Sequence, residues 1–126
     1  MRPRLALVPG EPAGIGPELV VRAAQQDWQA QLVIHGDGAI LRRAAQALGV
    51  SIDLHHAGQA PRSPRSLELV EIAHPVAVAF GRPQPANAPS VVESLTIAAQ
   101  ACLDGQCDGL VTGPVHKAVI NDGGIA

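Results

Sequence analysis

Apolar positions fall into short runs and helical stripes that alternate along the chain. Arg4-Leu5-Ala6-Leu7-Val8 reads as a buried first strand. A glycine- and proline-bearing loop follows from Pro9 to Gly16, and Gly16-Pro17-Glu18 opens a helix. Proline suits a first helical turn because its missing N–H would lack a helical partner, and Glu18 favours the positive helix start. Leu19, Val20, Ala23 and Ala24 form the expected apolar stripe of that helix, opposite Arg22, Gln25 and Gln26. Gln31 to His35 reads as a second strand, with Asp37 as the cap of a second helix. That helix carries Ile40, Leu41, Ala44, Ala45 and Leu48 at helical spacing and stops at Gly49. Ser51 to His55 alternates and reads as a third strand with one wetter face.

The second half is less regular. Gly58 to Ser66 reads as loop, Leu67 to Ala73 as a further strand, and Pro75 to Pro89 as a long surface excursion. Ser90 to Leu103 reads as a helix with Val91, Leu95, Ala98, Ala99 and Cys102 on its apolar side, ended by Gly105. Asp108 to Thr112 gives a short strand, and Gly113-Pro114 starts a turn and helix through Val115 to Ile120. Strand alternating with helix specifies an α/β fold, a mostly parallel sheet flanked by helices.

Composition narrows the picture. The 126 residues suit one domain, and a 47% hydrophobic fraction argues against disorder. With one Trp, one Phe and no Tyr, the core must be aliphatic, as parallel strands under Ala-rich helices require. A net charge of −2 without a basic stripe gives no footing for nucleic acid. No apolar run is long enough to span a bilayer. Gly10, Glu11 and Pro12 cut the first apolar run too short for a signal peptide, so a cytoplasmic protein without a membrane partner is expected. Cys102 and Cys107 form no CxxC and are expected to be free thiols.

Two strand-to-helix junctions carry the candidate chemistry, because ligands of open α/β sheets bind at the carboxyl ends of strands. The first, Pro9 to Glu18, has glycines at Gly10, Gly14 and Gly16. Its spacing matches neither the dinucleotide fingerprint nor the phosphate loop. Glu11 would repel a phosphate there and suits an ammonium, a hydroxyl or a structural hydrogen bond. A structural turn is as good a reading as a ligand site. The second junction, Thr112-Gly113-Pro114-Val115-His116-Lys117, offers a hydroxyl, an imidazole and an ammonium, a set able to grip a phosphorylated substrate or move a proton. A solvated helix face explains His116 and Lys117 slightly better on spacing alone. His55 and His56 are adjacent and point to opposite faces of a strand, His74 lies beside a proline in a loop, and His35 ends a strand at the ligand edge. An ordinary surface or hydrogen-bonded role suits each, and no three-residue metal set is expected in this chain.

Together these segments resemble one family. Pro9 to Glu18 is similar to its N-terminal signature, GDPAGIGPE or GEPAGIGPE; Thr112 to Lys117 resembles its TGPVHK segment, and Val119 to Ile125 continues the match. The family is 4-hydroxythreonine-4-phosphate dehydrogenase. Val8 stands where the family often has Thr or Ser. The resemblance implies an isocitrate- and isopropylmalate-dehydrogenase-like fold, of which residues 1–126 are the incomplete N-terminal α/β portion of a longer two-domain enzyme. It implies NAD(P)-dependent oxidation of 4-phosphooxy-L-threonine, a small phosphorylated amino acid. Decarboxylation then gives 3-amino-2-oxopropyl phosphate, in pyridoxal 5′-phosphate biosynthesis. A divalent metal (Zn, Mg or Co) polarises the oxygen being oxidised, and members are homodimers. The metal histidines, most substrate-phosphate contacts and the cofactor contacts belong to later segments, including a GHTE-type segment. The 126-residue chain alone is therefore expected to be inactive. Within it His116, Lys117, Thr112 and Glu11 are the substrate-proximal candidates, with Gly10, Gly14, Gly16 and Gly113 shaping the backbone. Two alternatives stand beside this reading: a sister dehydrogenase acting on 4-phospho-threonate or 4-phospho-erythronate, and a non-catalytic α/β binding or assembly domain.

Overall fold

The structure, a computed structural model, describes residues 3–56 and 64–114 and the isolated positions 118 and 122. Among the described residues, five strands form one sheet: β1 (Arg4–Val8), β2 (Gln31–Gly36), β3 (Asp53–His56), β4 (Ser66–Glu71) and β5 (Gly109–Thr112). Their order is β3-β4-β2-β1-β5, and every neighbouring pair is parallel. Among the described residues, α1 (Gly16–Ala24), α2 (Gly38–Leu48) and α3 (Ala88–Leu103) cover the sheet, the last preceded by a 3-10 turn at Pro85–Asn87.

Alternation along the strands builds a core on each face. Leu7, Ile34, Leu32 and Leu67 meet Val20, Ala24 and Leu41 of α1 and α2. Ala6, Val8 and Val33 meet Ala98 and Ala101 of α3, with Cys107 alongside. Both cysteines are free, Cys107 buried and Cys102 partly so.

Local signals place the helix ends. The Asp37 carboxylate accepts the Ala39 N–H at 3.0 Å and caps α2, while Gly49 closes it with φ of 70°. α1 departs from its expected stripe: Leu19 is 47% exposed and Val21 fully buried. The buried arc of α1 is turned because α2 packs beside it, with Val21 against Ala44 and Ala45. In α3, Ser94 and Ala101 are buried and Ala99 is exposed. Ser94 tolerates burial because its hydroxyl donates to the Ser90 carbonyl at 2.9 Å. α3 also starts at Ala88 rather than Ser90, with Pro89 in its first turn. The third strand begins at Asp53 and runs to His56 at the sheet edge, and the fifth begins at Gly109. The last predicted helix, Val115 to Ile120, lies outside the described residues apart from position 118.

Candidate functional site

The direction of winding reverses at β1. From β1 the chain moves to β2 on one side and later returns to β5 on the other. The carboxyl ends of β1 and β5 therefore flank the reversal, the place where open α/β sheets form their ligand crevice. Both glycine-bearing junctions leave the sheet there.

They interlock through their backbones. The Glu11 N–H donates to the Pro114 carbonyl at 2.9 Å, and the Gly113 N–H to the Val8 carbonyl at 2.7 Å. A Cβ on Gly10 would lie 2.3 Å from the Pro114 oxygen, and Gly10 also has φ of +83°. A Cβ on Gly16 would lie 1.6 Å from the Pro9 oxygen, and one on Gly113 would lie 2.2 Å from the same atom. Gly14 is different: its Cβ would sit 3.3 Å from the Glu11 oxygen, a tight but adjustable contact. Glycine is needed at Gly10, Gly16 and Gly113 for backbone-to-backbone approach. The loop's N–H groups point inward too, Gly14 to the Glu11 carbonyl at 3.0 Å and Ala13 to the Glu11 carboxylate at 3.1 Å.

Glu11 is buried, and its carboxylate fastens the turn. Of the three roles open to it in the sequence, the structural hydrogen bond is present. Thr112 stands at the end of β5 in register with Val8 and is exposed. His116 and Lys117 lie outside the described residues.

The rim also gathers groups that sequence reasoning left apart. His35 is the last residue but one of β2 and is buried on the α3 side of the sheet, and no hydrogen bond of normal geometry reaches its Nδ1. Burial lowers its pKa, against the pull of the Val33 carbonyl. His74, expected as a loop residue, is half-buried against the same rim. Its backbone N–H donates to Asp37 at 3.0 Å, and its Nδ1 meets the Ser90 hydroxyl. Ser90 donates to the Asn87 carbonyl at 2.8 Å. A hydroxyl has one proton, so the His74 ring donates from Nδ1 and keeps a lone pair on Nε2. Burial lowers the His74 pKa, outweighing the carboxylates of Asp37, Glu11 and Glu71, which raise it. No local signal in the sequence links His74 to Asp37 and Ser90, because the contacts span 37 and 16 residues.

The crevice among Pro9, Gly10, His35, Asp37, His74 and Ser94 measures about 10 Å³, room for roughly one water molecule. The amino end of α2 takes two carboxylates, Asp37 on the Ala39 N–H and Glu71 on the Gly38 N–H at 2.8 Å, which makes it a poor anion site. Among the described residues no group of three His, Cys, Asp or Glu could hold a metal. The carboxyl edge of the sheet thus gathers a rigid corner, an exposed hydroxyl and two imidazoles whose pKa values burial lowers.

Those imidazoles predict a pH dependence. Their folded pKa values lie below the ordinary 6.5, so the unfolded chain binds more protons as the solution becomes acidic. Stability is expected to be level above that pH and to fall as pH drops through it toward the depressed folded values. Urea midpoints against pH would show this. The double substitution His35→Gln and His74→Gln should flatten that part of the profile, and an unchanged slope would refute the assignment.

Comparison with known proteins adds the following. The family model described as "Pyridoxal phosphate biosynthetic protein PdxA" matches residues 27–126. A curated 4-hydroxythreonine-4-phosphate dehydrogenase of Xanthomonas oryzae pv. oryzae (strain PXO99A) is 53% identical over 126 residues, 99% of this chain and 39% of that protein. A crystal structure of a 4-hydroxythreonine-4-phosphate dehydrogenase from Burkholderia phymatum superposes with a TM-score of 0.90. It covers 99% of this chain and 40% of its own, and at 22% identity it bears on the fold alone. A terephthalate 1,2-cis-dihydrodioldehydrogenase from Burkholderia xenovorans LB400 superposes at 0.79 with 30% identity, over 100% of this chain and 38% of its own. This chain thus spans about 39% of the length of the curated relatives it matches.

Proposed function

This chain belongs to the family of the pyridoxal phosphate biosynthetic protein PdxA, and from that membership we propose that it forms the N-terminal α/β portion of a two-domain, NAD(P)-dependent 4-hydroxythreonine-4-phosphate dehydrogenase. The reaction removes a hydride and a proton from the secondary alcohol of 4-phosphooxy-L-threonine. The β-keto acid so formed loses carbon dioxide to give 3-amino-2-oxopropyl phosphate.

The observation that carries this reading is the interlock of the two junctions at one rim, with the Glu11 N–H on the Pro114 carbonyl. It brings the signature loop and the Thr112-Gly113-Pro114 segment to a single place, as a shared substrate wall requires. In this reading Thr112 faces the substrate, and Lys117 and His116 follow it to grip the phosphate or move a proton. Glu11 holds the corner rigid, and binding geometry held rigid is what lowers the barrier to the reaction. In this reading the nicotinamide and a divalent metal are held mostly by later segments of the family architecture, and the described residues of this chain supply part of the substrate wall. The working enzyme is a cytoplasmic homodimer.

A second reading has support in the likeness to the terephthalate dihydrodiol dehydrogenase: the same scaffold carries oxidation of an unrelated alcohol. The second reading is a sister dehydrogenase that keeps the phosphate and acts on a phosphorylated sugar acid such as 4-phospho-threonate or 4-phospho-erythronate. One assay separates the possibilities. The 126-residue chain alone, given 4-phosphooxy-L-threonine, NAD or NADP and a divalent metal, is expected to produce no reduced cofactor. A chimera carrying this chain in place of the matched portion of the Xanthomonas oryzae relative is expected to turn over that substrate. A folded chimera that oxidises only 4-phospho-threonate favours the second reading, and turnover by the chain alone would overturn the division of labour.

A further inference from the structure

A wider cleft opens at the β3 and β4 end of the carboxyl edge. It measures about 430 Å³, within the range of small-molecule pockets, and is lined by Arg42, Leu54, His55, His56, Leu69 and Glu71. His56 is the last residue of β3 and Glu71 the last of β4. The cleft therefore lies outside the carboxyl ends of two parallel strands, where open α/β sheets take their ligands. Its floor is apolar, because Leu54 and Leu69 pack on the core under α1 and α2. Register sets His56 beside Leu69 on that same face.

Two opposite charges overlook the floor without closing on each other. Glu71 Oε2 accepts the Gly38 N–H at 2.8 Å, which pins the carboxylate at the start of α2. Its second oxygen accepts no hydrogen bond among the described residues. Arg42 stands one helical turn after Gly38, and side chains of a helix lean toward its amino end, so the guanidinium comes back over Gly38. A Cβ on Gly38 would lie 2.9 Å from Leu69 Cδ2, 3.1 Å from Glu71 Oε2 and 3.4 Å from Arg42 Nη1. The absent side chain of Gly38 thus leaves open the point where floor, acid and base meet. Both charged side chains are exposed, and among the described residues no carboxylate lies within ion-pair distance of Arg42. A guanidinium and a pinned carboxylate in one cleft, near but unpaired, can each hold one end of a ligand.

We propose that this cleft binds a small zwitterion, an α-amino acid with an aliphatic side chain. Arg42 takes the ligand carboxylate through paired N–H donors. The unengaged oxygen of Glu71 accepts from the ligand ammonium. The aliphatic side chain covers Leu54 and Leu69. Other ligand classes fit less well. A phosphate or a dicarboxylate would set a second negative charge against Glu71. A purely apolar molecule would cover two charges and pair neither. A metal ion lacks a set of three donors among the described residues. The inference does not rest on the dehydrogenase reading, and its test measures no activity.

Titration of the isotope-labelled 126-residue chain with L-leucine tests it by NMR. The Gly38 amide is the reporter, since its hydrogen bond ends on the Glu71 carboxylate. Its resonance should shift saturably. Isocaproic acid lacks the ammonium and isopentylamine lacks the carboxylate. Each should bind at least about 10-fold more weakly than leucine, the effect of one lost charge-assisted contact. Arg42→Gln and Glu71→Gln should each weaken leucine binding by about 10-fold as well. Arg42→Gln should leave the melting temperature nearly unchanged, because the exposed guanidinium has no ion pair to lose. No saturable shift at tens of millimolar leucine overturns the proposal. Isocaproic acid or isopentylamine binding as tightly as leucine overturns it too, as does a folded Arg42→Gln chain that binds leucine undiminished.

Discussion

Alanine at Gly16 is expected to lower stability by about 3 kcal/mol or more, roughly 10 °C in melting temperature for a chain of this length. A Cβ there would stand 1.6 Å from the Pro9 carbonyl oxygen. That atom belongs to backbone, so no side chain can swing aside; either the loop or the start of α1 must move. Movement is resisted because the Gly113 position closes on the same Pro9 oxygen from the other junction, at 2.2 Å for its own Cβ. Gly113→Ala should therefore cost a similar amount. Gly14→Ala supplies the control. Its Cβ would meet the Glu11 oxygen at 3.3 Å, and its backbone does not need a left-handed conformation. The expected loss there is within about 1 kcal/mol. Thermal melts of the three variants decide the matter. If Gly16→Ala and Gly14→Ala melt together, the interlock is not what these glycines are for.

The same corner shows what the sequence could and could not disclose. Periodicity located the α/β alternation, the Asp37 cap and the Gly49 stop, because strand and cap signals are local and each is written within a few residues. The glycine-rich spacing of Pro9 to Glu18 announced an unusual turn, yet it could not say what approached it. Pro114, more than a hundred residues along the chain, packs against it. The sequence leaves Glu11 open among three roles for the same reason: its acceptor position on the Ala13 N–H depends on how the loop folds back. His74 is set in place by Asp37 and Ser90, and nothing around it in the chain indicates either. The faces of α1 and α3 were shifted by neighbours as well. Val21 is buried by α2, and Ser94 tolerates burial because its hydroxyl bonds to the preceding helical turn. Polar residues that satisfy themselves within a helix are invisible to a hydrophobic stripe.

Another long-range pair should give the second large effect. Glu68 lies in β4 on the α3 side of the sheet and is 2% exposed. Arg4, at the start of β1, reaches across β2 and places two nitrogens on it, at 3.1 Å on Oε1 and 2.8 Å on Oε2. The Arg4 Nε donates to the Gln106 carbonyl at 3.0 Å, so the guanidinium ties β4 to the turn before β5. The arginine side chain is 37% exposed and can return to water, whereas the carboxylate cannot. Removing Arg4 is therefore the harmful half of the pair. Arg4→Met is expected to cost about 3 kcal/mol, because it takes a bidentate countercharge from a buried carboxylate. Adding Glu68→Leu to that variant should recover most of the loss, since a packed apolar pair in place of a buried ion pair is commonly neutral or better. Denaturant titrations of the wild type, both single variants and the double variant give the coupling between the two sites. Losses that simply add, with no recovery in the double variant, would mean that Arg4 stabilises the sheet through Gln106 and its aliphatic stem, and that the charge on Glu68 is held by its other contacts.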